Sequence, residues 1–207
     1  MKIKNLALLL AGTLYFNVFS SSQIMAASKN NRILVAVIPF TYKAENPKYA
    51  GIEEGLAQAV SSELVKKKVF RIIERERVDT LLKEIKYQQM GIVNPETALQ
   101  LGKHLGAQAY LLGSVVSVSV RDEWRSVKFA EKTVRFVEVE AEVKIVDIQT
   151  GEVLGSGRAI GKSKTAEKHA FGGKIGDLAT IQSMTQKAVQ NLSEKLSKDL
   201  VKTYKSE

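Results

Sequence analysis

The sequence predicts a single-domain α/β layered sandwich, a mixed β-sheet covered by helices. Three observations predict it. Ile33 to Ile38 is an unbroken apolar run ended by Pro39, the pattern of a strand buried on both faces. Several segments place apolar residues on one helical stripe, and such helices need a sheet to cover. Val134 to Ile148 alternates apolar and polar residues over a long stretch, and a second strand follows it.

Taken in order, the polar lead Ser28 to Arg32 precedes that first strand. Thr41 to Ala50, with Lys, Asn, Pro and Tyr, reads as a loop. Gly51 to Lys67 carries Ile52, Leu56, Ala59, Val60 and Leu64 on one stripe of a helix. Phe70 to Ile73 is a short strand. Glu74 to Met90 is again helical, with Val78, Leu81, Leu82 and Ile85 inward. Asn94-Pro95-Glu96 starts another helix, because Pro in the first turn gives up an N–H that has no partner there. That helix carries Ala98, Leu101 and Leu105 and stops at Gly106, suited to a left-handed C-cap. Ala109 to Val120 is a strand. Gln149-Thr150-Gly151 is a turn between Val134–Ile148 and the strand Glu152–Lys164. Lys168 to Asp177 reads as a glycine-containing loop, and Thr180 to Tyr204 as a long amphipathic helix with Ile181, Met184, Ala188, Leu192, Leu196 and Leu200 inward. The predicted order is β-α-β-α-α-β-β-β-α.

The alternation assigns faces in the hairpin. Val137, Val139, Ala141, Val143 and Ile145 point one way, and Glu138, Glu140, Glu142 and Lys144 the other. In the partner strand Val153, Gly155, Gly157, Ala159 and Gly161 share a face, opposite Leu154, Arg158, Lys162 and Lys164. A turn centred on Thr150 pairs Glu142 with Arg158 and Glu138 with Lys162. Cross-strand pairs of opposite charge contribute roughly 0.2–1 kcal/mol each. The small residues opposite valines leave a flat surface on which a helix can lie close. Carboxylates at alternate positions lie about 7 Å apart and converge on nothing, so they read as a solvated face and not as an acid/base pair or calcium site.

The 207 residues include 31 Lys plus Arg against 22 Asp plus Glu, two His and no Cys. Without Cys there is no disulfide scaffold, thiol nucleophile, thiolate zinc site or acylated cysteine. His104 and His169 have no metal-ligand spacing and read as surface or cap residues. Gly155-Ser156-Gly157 is not a nucleophile elbow, and Gly161-Lys162-Ser163 lacks the earlier glycine of a phosphate loop. No cofactor, metal or catalytic residue is implied. The net charge of +9 could serve nucleic acid, but no aromatic platform is interleaved with the lysines. A solvated face, or contact with an anionic envelope polymer or lipid head groups, is the alternative.

Residues 1–27 read as a secretory signal. Lys2 and Lys4 precede an apolar stretch from Leu6 to Phe19, and Met25-Ala26-Ala27 is the expected cleavage site. An uncleaved anchor is the other reading. Residues 28–207 form the predicted domain, and export places it outside the cytoplasm.

One family joins these pieces. Ile38-Pro39-Phe40, Phe70-Arg71-Ile72-Ile73-Glu74-Arg75, Val78-Asp79-Thr80-Leu81-Leu82-Lys83-Glu84, the segment Gly106 to Val115 and the segment Val146 to Leu154 occur in an order that resembles the CsgG family of curli production assembly/transport components. The resemblance spans about residues 33–200. It implies a non-enzymatic periplasmic or outer-membrane-associated protein whose partners are envelope proteins, including further copies of itself in a ring. Outer-membrane or peptidoglycan contact is also implied, and nucleic acid is not. Relatives that secrete amyloid subunits give two β-hairpins per subunit to a common barrel, here Val115–Val143 and Val153–Ile175. They place a constriction in the loop after the first strand, here Tyr42, Asn46 and Tyr49. This sequence departs from them in two ways. Arg121 to Arg135 holds eight charged residues in fifteen, where a spanning strand needs ~9–11 residues with an apolar lipid face. The acylated N-terminal Cys is absent. The first expectation is therefore an exported protein acting by binding in envelope assembly or secretion. A true secretion channel and an activator docking on a peptidoglycan synthase remain as alternatives.

Overall fold

Strand β1 (Leu34–Val37) is buried on both faces, as its apolar run requires. Val35 and Val37 enter one hydrophobic core, and Ala36, with Ile38 just beyond, enters another. The computed structural model describes residues 32–73, 75–84, 102–170 and 173–204. The predicted signal segment 1–27, the helix start at Asn94-Pro95-Glu96 and the second helix beyond Glu84 lie outside the described residues. Residues 33–207 form one compact unit.

After β1 come β2 (Thr41–Tyr42), a 3₁₀ turn at Pro47–Tyr49, α1 (Ile52–Lys67), β3 (Arg71–Ile73) and α2 (Arg75–Glu84). A helical turn at 102–105 ends at Gly106, whose φ of 64° is the left-handed conformation expected of a C-cap. Then follow β4 (Ala109–Val127), β5 (Ala130–Asp147), β6 (Val153–Ala170), β7 (Gly173–Ile175) and α3 (Ile181–Tyr204). The seven strands form one sheet in the order β3-β1-β4-β5-β6-β7, with β2 beside β4. β1 runs parallel to β3 and β4, β2 runs parallel to β4, and the β4–β5, β5–β6 and β6–β7 pairings are antiparallel. This is the mixed, helix-covered α/β sheet that the sequence predicts.

Two predicted loops contain strand. β2 lies in the Thr41–Ala50 loop, and β6 and β7 together occupy most of Lys168–Asp177. Both additions are short and borrow their hydrogen bonds from long neighbours, so neither leaves an apolar period in the sequence.

Helices α1 and α3 pack on one face, where Leu56, Val60 and Leu64 meet Val137, Val139, Leu192 and Leu196. On the opposite face, near the sheet's base, Val78 and Leu105 cover Ala36, Ile73 and Tyr110. Thr180 caps α3, its hydroxyl accepting from Ser183 N at 3.2 Å. The glycine strip of β6 lies beneath α3. A Cβ on Gly157 would stand 3.0 Å from the Leu196 carbonyl oxygen, and one on Gly161 only 2.0 Å from that of Ala188. From Ala188 to Leu196 the helix rises about 12 Å, and from Gly161 to Gly157 the strand covers about 13 Å. The helix therefore runs along β6, antiparallel to it, in backbone-to-backbone contact.

Val153 departs from the predicted strip. The register shifts between Ile145 and Val146, so Val153 pairs with Val146 while Gly155 pairs with Ile145. The extra residue, Leu154, reverses the alternation and leaves Val153 on the other face, 45% exposed.

Candidate functional site

The three long strands outrun the helices. β4, at 19 residues, spans about 60 Å, while α3, at 24 residues, spans about 36 Å. The outer part of β4, β5 and β6 therefore projects as a ribbon whose sides both meet solvent, and it ends in a two-residue turn at Lys128-Phe129.

The face away from α3 carries a ladder of charges. Lys162 Nζ lies 3.2 Å from Glu138 Oε1, and Arg121 reaches the same oxygen at 3.7 Å. The predicted pair of Glu142 with Arg158 needs correction. These residues are register partners, yet the Arg158 Nε donates to Glu140 at 2.9 Å. Glu142 is already occupied. It accepts from the Ser114 hydroxyl at 3.0 Å and faces Lys43 Nζ at 3.5 Å. The Ser114 hydrogen bond, followed by the Lys43 charge, holds the Glu142 carboxyl below its ordinary range. Further out, Phe136 has the Arg121 guanidinium 4.7 Å and the Lys164 ammonium 5.2 Å from its ring centre. Such exposed pairs add little stability one by one. Their effect is to make the shaft of the ribbon hydrophilic.

The side facing α3 turns polar beyond the helix's first residues. Arg135 clasps Asp122 through two hydrogen bonds of 2.8 and 2.7 Å, which lower the Asp122 carboxyl. Glu167 lies 2.8 Å from His169 Nε2 and 3.0 Å from Lys174 Nζ on β7, and these contacts bring its carboxyl down to about 2. A folded-state value below the ordinary 4.5 means that these contacts stabilise the end of β6 above about pH 4.5, and the Lys174 contact among them ties β7 to it. They are lost as pH falls through about 2. Protection of the Gly173–Ile175 amides, taken relative to intrinsic exchange at each pH, is expected to fall over that acid window in the parent chain. In Glu167→Gln that fall in protection should be smaller, with the Lys174–Asp177 pair left to supply the remainder; an unchanged profile would contradict the assignment.

Four large apolar side chains stand exposed at the ribbon's end: Trp124 (64%), Val127 (71%), Phe129 (69%) and Ile175 (64%). Beside them is an open depression of about 490 Å³ with Lys128, Glu131 and His169 on its walls and Ala130 and Ala170 at the strand ends. Sequence reasoning read Arg121–Arg135 as charge alone and missed this cluster. Its signal was present, as a lone Trp inside a charged run and a Phe between two strands.

The predicted constriction loop is folded upon itself. Tyr42 donates its hydroxyl to the backbone oxygen of Asn46, and the Asn46 side chain accepts from Lys48 N at 3.0 Å, capping the turn that contains Tyr49. Burial first, then the charge of Glu53, raises the Tyr42 hydroxyl's pKa. The adjoining Lys43 ties this loop to the ladder through Glu142. Among the described residues no group of three or more His, Asp or Glu is placed to hold a metal ion, and no helix is long and apolar enough to cross a membrane.

A mixed sheet with paired long strands carrying two hairpins, β4–β5 and β6–β7, is the arrangement on which the comparisons bear. The family model for the curli production assembly/transport component CsgG matches residues 16–205. The chain belongs to the CsgG family. Among curated proteins none matches it. Similar solved structures include lipoprotein GNA1162 from Neisseria meningitidis, at 13% identity and a TM-score of 0.44, covering 73% of this chain and 90% of that one. The LpoB C-terminal domain from Salmonella enterica has 13% identity, a TM-score of 0.43 and coverages of 67% and 90%. The PelC dodecamer from Paraburkholderia phytofirmans has 14% identity, a TM-score of 0.38 and coverages of 80% and 88%. At these values the family assignment of this CsgG-family chain rests on the family match.

Proposed function

We propose that this CsgG-family chain is an exported, non-enzymatic component of envelope assembly or secretion that works by binding proteins, with the ribbon shaft as its docking surface. The charged ladder carries the reading. A membrane stave must turn an apolar stripe of ~9–11 residues to lipid, and each Arg or Lys there costs about 2–4 kcal/mol at mid-membrane, each Asp or Glu less. On this shaft Glu138, Glu140, Arg158 and Lys162 occupy one face and α3 lies on the other. The face left open suits a partner with complementary charge and resists hydrocarbon. Such charges steer encounter and fix register more than they add affinity. Ring formation by further copies is compatible with this surface.

The test places a photo-crosslinking amino acid at position 140 of the full chain in its own cell. Adducts with exported proteins are expected, and Arg158→Glu with Lys162→Glu should reduce them about tenfold. Adducts with lipid alone, or single-channel conductance from the purified chain, would overturn the reading in favour of a secretion channel.

A further inference from the structure

The ribbon's end differs in chemistry from its shaft. Counting from the turn at Lys128-Phe129, Trp124 lies three residues inside the end of β4, about 10 Å along the strand. The apolar residues do not share a face. Trp124 pairs with Thr133 on the side of α3, whereas Val127 pairs with Ala130 on the other side. Ile175 pairs with Lys168, which pairs with Lys132, so it shares the side of Val127. A partner laid against one face would leave the other exposed, and a convex end needs a pocket to receive it. A medium that surrounds the end meets both requirements.

On the side of Val127 and at the turn the uncompensated charges are basic, while Glu131 stands on the side of Trp124. Lys128, Lys132 and Lys168 have no ion-pair partner among the described residues, while Glu138 and Glu140 further down the shaft are paired. Arg125, in the same cross-strand row as Lys132 and Lys168, reaches only Glu123 among the described residues, at 3.7 Å.

We propose that the end of the ribbon is a membrane-surface anchor, in which Trp124, Val127, Phe129 and Ile175 enter the boundary layer of an anionic phospholipid bilayer while Arg125, Lys128, Lys132 and Lys168 meet its head groups. The depth fits. Amphipathic anchors bury their apolar side about 5–10 Å, the distance from the turn to Trp124. Indole rings settle at this level, and basic side chains add electrostatic attraction to anionic lipid. The shaft then stands off the membrane in water. The inference goes beyond the shaft's docking role and involves different residues, so each can fail without the other.

Trp124 is the chain's single tryptophan, so its fluorescence reads this site alone, whatever residues 1–27 do. The full chain is titrated with vesicles of phosphatidylcholine plus phosphatidylglycerol, with vesicles of phosphatidylcholine alone, and with lipids brominated on the acyl chain. A blue shift and quenching by the brominated lipid are expected with the anionic vesicles. Lys128→Gln and Lys132→Gln should each weaken partitioning about fivefold. Val127→Ser with Phe129→Ser should weaken it about tenfold or more. Both positions are exposed, so circular dichroism should stay unchanged. Emission that stays red with anionic vesicles, even if the chain co-sediments with them, overturns the proposal. So does an equal response to neutral vesicles, or a blue shift that appears with protein concentration alone, which would put a second copy over the end.

Discussion

Gly161→Ala is expected to destabilise the fold by about 3 kcal/mol or more, a large effect for one added methyl group. The new Cβ would stand 2.0 Å from the Ala188 carbonyl oxygen and 2.6 Å from the Leu192 Cβ. Both belong to the helix itself, so no flexible side chain can swing aside. Overpacking a tight core costs about 1–3 kcal/mol and more where backbone must move. The strip predicts an order. Gly157→Ala, with its nearest contact at 3.0 Å, should cost about 1 kcal/mol, and Gly155→Ala, at 3.2 Å, less. Urea denaturation midpoints measure all three. Equal stabilities would mean that α3 does not lie on this strand.

The complementary expectation is a cavity. Leu192 is fully buried between α1, α3 and the sheet, and Leu192→Ala should cost about 2–5 kcal/mol. Val65 on α1 is 55% exposed, and Val65→Ser should change stability by no more than about 0.5 kcal/mol. If the two substitutions cost the same, the packing of the helical face is wrong.

These two expectations rest on features that the sequence discloses well. Period-two alternation set the glycines of β6 opposite the valines of β5, and period-3.6 spacing chose Met184, Ala188, Leu192, Leu196 and Leu200 as the inner face of α3. Both follow from local geometry. Three features did not follow. The bulge at Leu154 reverses the faces, and Gly155 beside it fits the strip of small residues so well that it does not mark the bulge. The partner of Arg158 was misassigned although its register was correct, because Ser114 and Lys43, residues from β4 and the stretch after β2, had already engaged Glu142. Competition of that kind depends on tertiary neighbours that no strand pattern contains. The apolar end of the ribbon escaped notice because Trp124, Val127 and Phe129 are scattered among charges, and only the pairing of β4 with β5 gathers them.

The loop after β1 makes the same point for the candidate site. Tyr42, Asn46 and Tyr49 were singled out by resemblance, and the fold brings them together through bonds to the loop's own backbone. The side chains of Tyr42 and Asn46 hold this loop in shape beside the ladder, and Tyr49 takes part through its backbone. The resemblance supplied the segment, and the local hydrogen bonding supplied what its residues do there.

The central claim is that the shaft of the ribbon lies in water while the chain is at work in the envelope. A nitroxide on position 164, within the charged face beside Phe136, tests it most directly in the full chain bound to native membranes. Strong relaxation by a water-soluble nickel complex and weak relaxation by oxygen is the expected result. The reverse, oxygen reaching the label and nickel excluded, would place the shaft in hydrocarbon and contradict the account.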